Sequence, residues 1–141
     1  KEISIHTPSL HKIDGQSFAL EICMVHKLSE SSAPGSGLML CSLFESGSHY
    51  GKPDQFISQI INSIPSIETE YETEINVSKD WSANWVIPES SGYFSYEGSL
   101  PYPPCQEGYN VFVYEQIGSV GKTHIDIFKK SAKTKYPGGR L

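Results

Sequence analysis

Residues 2–27, EISIHTPSLHKIDGQSFALEICMVHK, limit what this chain can fold into more than any other stretch. Two segments alternate in polarity, Ile3-Ser4-Ile5-His6 and residues 18–26, and the connection between them holds Pro8 and an Asp14-Gly15 pair. Alternation with a period of two marks a half-buried strand, and Asp-Gly is the strongest short hairpin signal. The two segments are therefore expected as adjacent antiparallel strands. On their pleats, Glu2, Ser4 and His6 share one face of the first, and Glu21, Cys23 and Val25 share one face of the second. Acidic, imidazole and thiol side chains thus gather on one side of a sheet.

The rest of the chain supplies elements to pack against that sheet. Residues 29–37, SESSAPGSG, are turn formers and predict a polar loop. Residues 37–45, GLMLCSLFE, form a nearly continuous apolar run that suits a strand buried on both faces. The period then changes. In residues 52–64, Phe56, Ile57, Ile60, Ile61 and Ile64 fall on one helical face, with Pro53 and Asp54 in the first turn, where both are tolerated or favoured. Residues 67–84 are polar and weakly patterned, an edge strand or an extended loop.

Bulk properties exclude several classes. A chain of 141 residues with 38% apolar content fits one globular domain, residues 1–141, with a core of its own. A formal charge of -5, with lysines scattered rather than clustered, argues against a nucleic-acid groove. No apolar run is long enough for a membrane-spanning helix. The three cysteines, Cys23, Cys41 and Cys105, cannot all pair within the chain. If Leu38 and Leu40 face the same side as Cys23, alternation turns Cys41 away, and a Cys23–Cys41 bridge is not expected.

At residues 2–27 the chain resembles the alpha-class carbonic anhydrases. That family has a His-x-His pair on the first strand, a TPSEHTxxGxxF connection, and E-x-H-x-V-H on the next strand; both histidines of the pair and the first histidine of the second strand hold the metal. A second motif follows in the right order: residues 86–108, VIPESSGYFSYEGSLPYPPCQEG, are close to the family's LLPxxxxYYxYxGSLTTPPCxEG. The likeness extends over residues 2–128, with Ile125, Ile127 and Phe128 as the apolar anchors of the family's late helix. It implies a mainly β fold with a few peripheral helices around a large, twisted, mixed but mostly antiparallel central sheet.

The departures from the family fall on its chemistry. His6 stands at the second histidine of the pair, Ser4 at the first and Cys23 at the third ligand. Leu10 replaces a glutamate that orients the hydrogen-bond network of the zinc-bound hydroxide, whereas Glu21, which in the family supports a ligand histidine, is kept. Pro101 stands where the family has the threonine that fixes the attacking oxygen, and proline has neither hydroxyl nor N–H. Val111 replaces a tryptophan that walls the carbon dioxide pocket. The resemblance therefore implies an inactive relative that keeps the fold, binds no zinc and serves as a binding or structural module. The alternative is a divergent zinc lyase with a noncanonical Glu2, His6 and Cys23 site.

Other expectations are plainer. His6, His11 and His26 are expected as ordinary core or surface histidines, and Tyr93, Phe94, Tyr96, Tyr102 and Tyr109 as core and loop packing. Cys105 sits where secreted family members place half of a disulfide, and Asn76-Val77-Ser78 is an N-x-S acceptor, so a secreted or lumenal, glycosylated protein is the favoured setting. In the resembling fold the strand of residues 3–6 lies inside the sheet, after a portion that holds the family's QSP motif and proton-shuttle histidine. The expectation is a domain incomplete on its N-terminal side, with a preceding segment or a protein partner completing the sheet in a larger assembly.

Overall fold

Strands β1 (Glu2–His6) and β4 (Leu20–Lys27) pair antiparallel, with Glu2 opposite Val25, Ser4 opposite Cys23 and His6 opposite Glu21. The pairing read from alternation is the pairing found. The structure is a computed structural model and describes residues 2–28, 37–47, 51–62 and 79–135. Between the two strands, β2 (Lys12–Ile13) and β3 (Gln16–Ser17) form a small hairpin of their own. Asp14 and Gly15 both take positive φ at its tip, the backbone shape that a two-residue hairpin requires.

Beside β4 lies β5 (Gly37–Gly47), also antiparallel. Its first half pairs in parallel with β7 (Glu107–Tyr114) and its second half in parallel with β8 (Gly118–Gly121). Strand β6 (Tyr93–Ser99) closes the far side, antiparallel to β7. The order is β1-β4-β5-β7-β6, with β8 beside β5, so among the described residues β1 and β6 end the path and β8 has a single partner. This is the mixed, largely antiparallel sheet that the resemblance implied, with two α-helices among the described residues.

The helices cover one face. Helix α1 (Lys52–Ile61) buries Phe56 and Ile57, and helix α2 (Lys122–Lys135) buries Ile125 and Phe128, against Leu20, Ile22 and Met24 of β4, Phe44 of β5 and Val120 of β8. Position 64, expected to extend α1, lies outside the described residues. Asp54 ties both helix starts together. Its buried carboxylate accepts from the Gly51 N–H at 3.1 Å and the Gly121 N–H at 2.8 Å, and pairs with His124 Nδ1 at 2.8 Å. A 3-10 turn, Ala83–Val86, follows Trp81, whose ring stacks on Phe56. Most of the polar stretch before it, with Asn76, lies outside the described residues. No helix among the described residues is long and apolar enough to cross a membrane.

On the other face the core is Phe18, Cys23, Val25, Met39, Cys41, Leu43, Leu100, Tyr109, Val111 and Val113. Here the expected phase of β5 is corrected. Cys41 stands opposite Cys23 and Met39 opposite Val25, so Met39, Cys41 and Leu43 share the Cys23 face, and Leu40 packs on the helix side. A strand that is apolar on both faces carries no signal of which residues point which way, and one residue of slip reverses every side chain.

Candidate functional site

The face of the sheet without helices carries a buried carboxylate. Glu21 is fully buried on β4, between Cys23 on the same face and the connection that leads into β2. Oε2 accepts from the Leu10 N–H at 2.7 Å and the His11 N–H at 3.0 Å, while Oε1 meets His11 Nδ1 in a short contact. The other ring nitrogen, Nε2, lies 2.6 Å from the Tyr96 hydroxyl on β6. A carboxylate, an imidazole and a phenol thus form a chain from the core to solvent, where Tyr96 is 47% exposed. Burial alone pushes the Glu21 carboxyl up, but the hydrogen bond and charge of His11 and the two amides outweigh it, leaving it below its ordinary value. Burial and the Glu21 charge push the Tyr96 phenol up.

The positions that the resemblance aligns with zinc ligands lie alongside. Ser4 Oγ and His6 Nε2 share a hydrogen bond of 2.6 Å, and His6 is buried. Cys23 is bonded to Cys41 in a disulfide, with an S–S distance of 2.07 Å. This overturns the expectation that the two would not bridge, and the reason is the corrected phase of β5, which makes them directly opposed neighbours. Leu10 holds Glu21 through its backbone while its side chain is exposed. Pro101 is exposed beside buried Leu100, and Val111 is wholly buried in the core. Cys105 is a free, exposed thiol.

Glu2 is occupied from two sides. The Tyr102 hydroxyl donates to Oε1 in a short hydrogen bond, and Lys27 Nζ lies 3.2 Å from Oε2. Burial, then the hydrogen bond and charge of Glu2, push the Tyr102 phenol up. Tyr102 reaches from the loop after β6 across to β1, a span of 100 residues in sequence.

The aromatic residues do not form one cluster. Tyr109 is core and Tyr102 partly buried, as expected, but Tyr93, Phe94 and Tyr96 are exposed on β6. They lie on an edge strand, where both faces reach solvent. His11, Cys41 and Tyr96 are the members of this candidate site that sequence reasoning missed. The usable signal was Glu21 itself: a carboxylate in an otherwise apolar strand must find donors, and His11 stands in the adjoining connection.

His11, Glu21, Cys23 and Cys41 offer ligand-type atoms all within 4.8 Å of one another. The residue types match the expected alternative site, but of Glu2, His6 and Cys23 only Cys23 belongs to this group.

Comparison with known proteins agrees with this architecture. The model of the eukaryotic-type carbonic anhydrase family matches residues 4–138. Alpha carbonic anhydrase 3 of Arabidopsis thaliana is 31% identical over 150 residues, covering 96% of this chain and 49% of that protein. Dioscorin DB3S of Dioscorea polystachya is 26% identical, covering 93% of this chain and 46% of that protein. Among solved structures, the alpha-carbonic anhydrase of Photobacterium profundum superposes with a TM-score of 0.75 over 92% of this chain and 54% of its own, a likeness of fold at 22% identity. A crystal structure of dioscorin complexed with ascorbate gives a TM-score of 0.70 at 28% identity, over 92% of this chain and 50% of that one. The chain spans about half the length of these relatives. With the family model matching nearly the whole sequence, the chain belongs to the eukaryotic-type, or alpha, carbonic anhydrase family.

Proposed function

We propose that this domain does not hydrate carbon dioxide and acts as a binding or structural module. The observation that carries the reading is the donor set at the family's three ligand positions: one imidazole, His6, bonded to the hydroxyl of Ser4, and a Cys23 sulfur tied up in a disulfide. A hydrase needs a cation held by three protein ligands with an open fourth position, which lowers the pKa of bound water to about 7. A disulfide sulfur is no thiolate, and one imidazole does not fit that requirement. Pro101 lacks the hydroxyl that would orient the nucleophile, and Val111 lacks the pocket wall of a tryptophan, so the remaining departures point the same way. A zinc lyase at Glu2, His6 and Cys23 would have to free Glu2 from Tyr102 and Lys27 as well as break the disulfide.

Stopped-flow hydration with added zinc tests this. The expected rate is the uncatalysed background, and a rate above it that a sulfonamide abolishes would refute the proposal. Groups that act as a unit are non-additive, so Cys23→His alone is expected to stay inactive.

The module's partner side is also a proposal. On the open side of β1, Ile3 is exposed, and the aromatics of β6 are exposed at the opposite edge. Relatives about twice as long support further polypeptide completing the sheet at β1, from this protein or a partner. Sedimentation and melting of residues 1–141 alone check this: association or a broad transition is expected, and a sharply melting monomer would contradict it. The Cys23–Cys41 disulfide and the Asn76 acceptor support a secreted or lumenal setting. Intact mass of natively sourced protein should then show a glycan.

A further inference from the structure

We propose that the Cys23–Cys41 disulfide masks a metal site, and that its reduction opens a four-donor pocket for a zinc-like divalent cation made by Cys23, Cys41, Glu21 and His11. Of the family's three ligand positions only Cys23 takes part: Ser4 and His6 do not, and Cys41, Glu21 and His11 supply the other donors. It shares the disulfide with the hydration reading, but its test reads metal binding by the reduced chain, not hydration, so either can fail without the other.

The donor chemistry comes first. Two thiolates, one imidazole nitrogen and one carboxylate oxygen are ligand types that zinc accepts, and sulfur with nitrogen selects zinc and its substitutes over magnesium or calcium. In tetrahedral zinc sites, bonds of about 2.0–2.3 Å place the donors about 3.3–3.8 Å apart. Here the four ligand atoms lie within 4.8 Å of one another, and the Cys23 sulfur is 3.1 Å from Glu21 Oε1. The two sulfurs must separate, Glu21 Oε1 must draw back from His11 Nδ1, and the widest pair must close by about an ångström, a side-chain movement rather than a refolding.

Orientation is the second argument. A metal-binding histidine normally has its other ring nitrogen held, and ligand carboxylates are themselves hydrogen-bonded. Both conditions are already met. His11 Nε2 is held by the Tyr96 hydroxyl, and in the oxidised protein Nδ1–H donates to Glu21 Oε1; with the ring proton kept on Nε2 and donated to Tyr96, Nδ1 is freed for a cation. Glu21 Oε2 is held by the amides of Leu10 and His11, leaving Oε1 as the donor. Glu21, Cys23 and Cys41 are buried and His11 is half-buried, so His11 is the donor nearest solvent.

The step balances with a dithiol as reductant. Exchange breaks the Cys23–Cys41 bond, makes both cysteines thiols and turns the dithiol into its own disulfide. The cation then displaces the two thiol protons and the proton that Nδ1 shares with Oε1; the thiol protons pass to solvent, the ring keeps one N–H on Nε2 facing Tyr96, and the cation takes the freed Nδ1 and Oε1 lone pairs. Without a reductant the sulfurs have no free thiolate to give, so metal affinity depends on redox state.

The test uses the whole chain carrying Cys105→Ser, which removes the exposed third thiol. Anaerobic protein is treated with dithiothreitol, desalted and titrated with Co2+, alongside the oxidised protein. The expected result is one Co2+ per reduced chain with thiolate-to-cobalt charge-transfer absorption, and no such band from the oxidised chain. Tyr96 is exposed, so Tyr96→Phe is expected to fold, and it should weaken binding about 10–100-fold by releasing His11. Reduced protein that binds no stoichiometric Co2+, whether folded or not, overturns the proposal. So does a band of equal strength from the oxidised chain, or one from reduced protein that also carries Cys41→Ser. Unchanged affinity in Tyr96→Phe removes His11 from the ligand set and overturns the four-donor site.

Discussion

Strand β4 has two unlike faces. Leu20, Ile22 and Met24 point to α1 and α2, into a cluster of apolar side chains, whereas Glu21 and Cys23 point the other way, into a carboxylate–imidazole–phenol chain and a disulfide. The helix face is held by burial, which is non-directional and tolerates near-equivalents. The polar face is held by particular pairs, and removing one partner leaves another buried and unsatisfied. The same strand thus supports a generic core and a specific site.

The sharpest way to break this contrast starts on the helix face. Phe56 is fully buried and stacks on Trp81, so Phe56→Ala should cost about 4 kcal/mol, with Phe56→Leu much milder. Urea melts of both variants check it; equal losses would mean that this face is also held by shape-specific contacts.

On the polar face, Glu21→Gln keeps the size but should cost about 3 kcal/mol, because the His11 ring and two amides lose their charged acceptor. The pH dependence has a definite sign. The folded Glu21 carboxyl lies below its ordinary value, so its stabilisation is present above the unfolded value of about 4.3 and is lost as pH falls through the folded one. Melts between neutral and acid pH should therefore fall less steeply for Glu21→Gln than for the unmodified protein.

Reduction of Cys23–Cys41, which closes a loop with a sequence separation of 18, should cost about 3 kcal/mol on the chain-entropy account. Melts with and without reductant, in the absence of metal, measure it. A smaller effect belongs to Tyr102→Phe, about 1 kcal/mol or less, since Glu2 is partly exposed and keeps Lys27.

The contrast also marks what was legible in sequence. Periodicity located β1, β4 and α1, and the Asp14-Gly15 pair located a turn, because each signal is local, whereas α2 was reached through the resemblance. The phase of β5 was not legible, since both of its faces are apolar, and the disulfide partner of Cys23 was lost with it. Tyr96 was assigned to packing because its bond to His11 joins residues 85 apart, which no local pattern reveals. The family's ligand positions were found only through resemblance. What occupies them chemically, a serine bonded to His6 and a half-cystine, needed the fold.

The central claim is that the ancestral position beside His6 holds no catalytic metal. Diffraction across the zinc absorption edge, on crystals of unreduced protein grown with added zinc, tests it most directly. The account predicts no anomalous peak within bonding distance of His6 Nε2; a full-occupancy peak there, coordinated by His6 and a water, would contradict it.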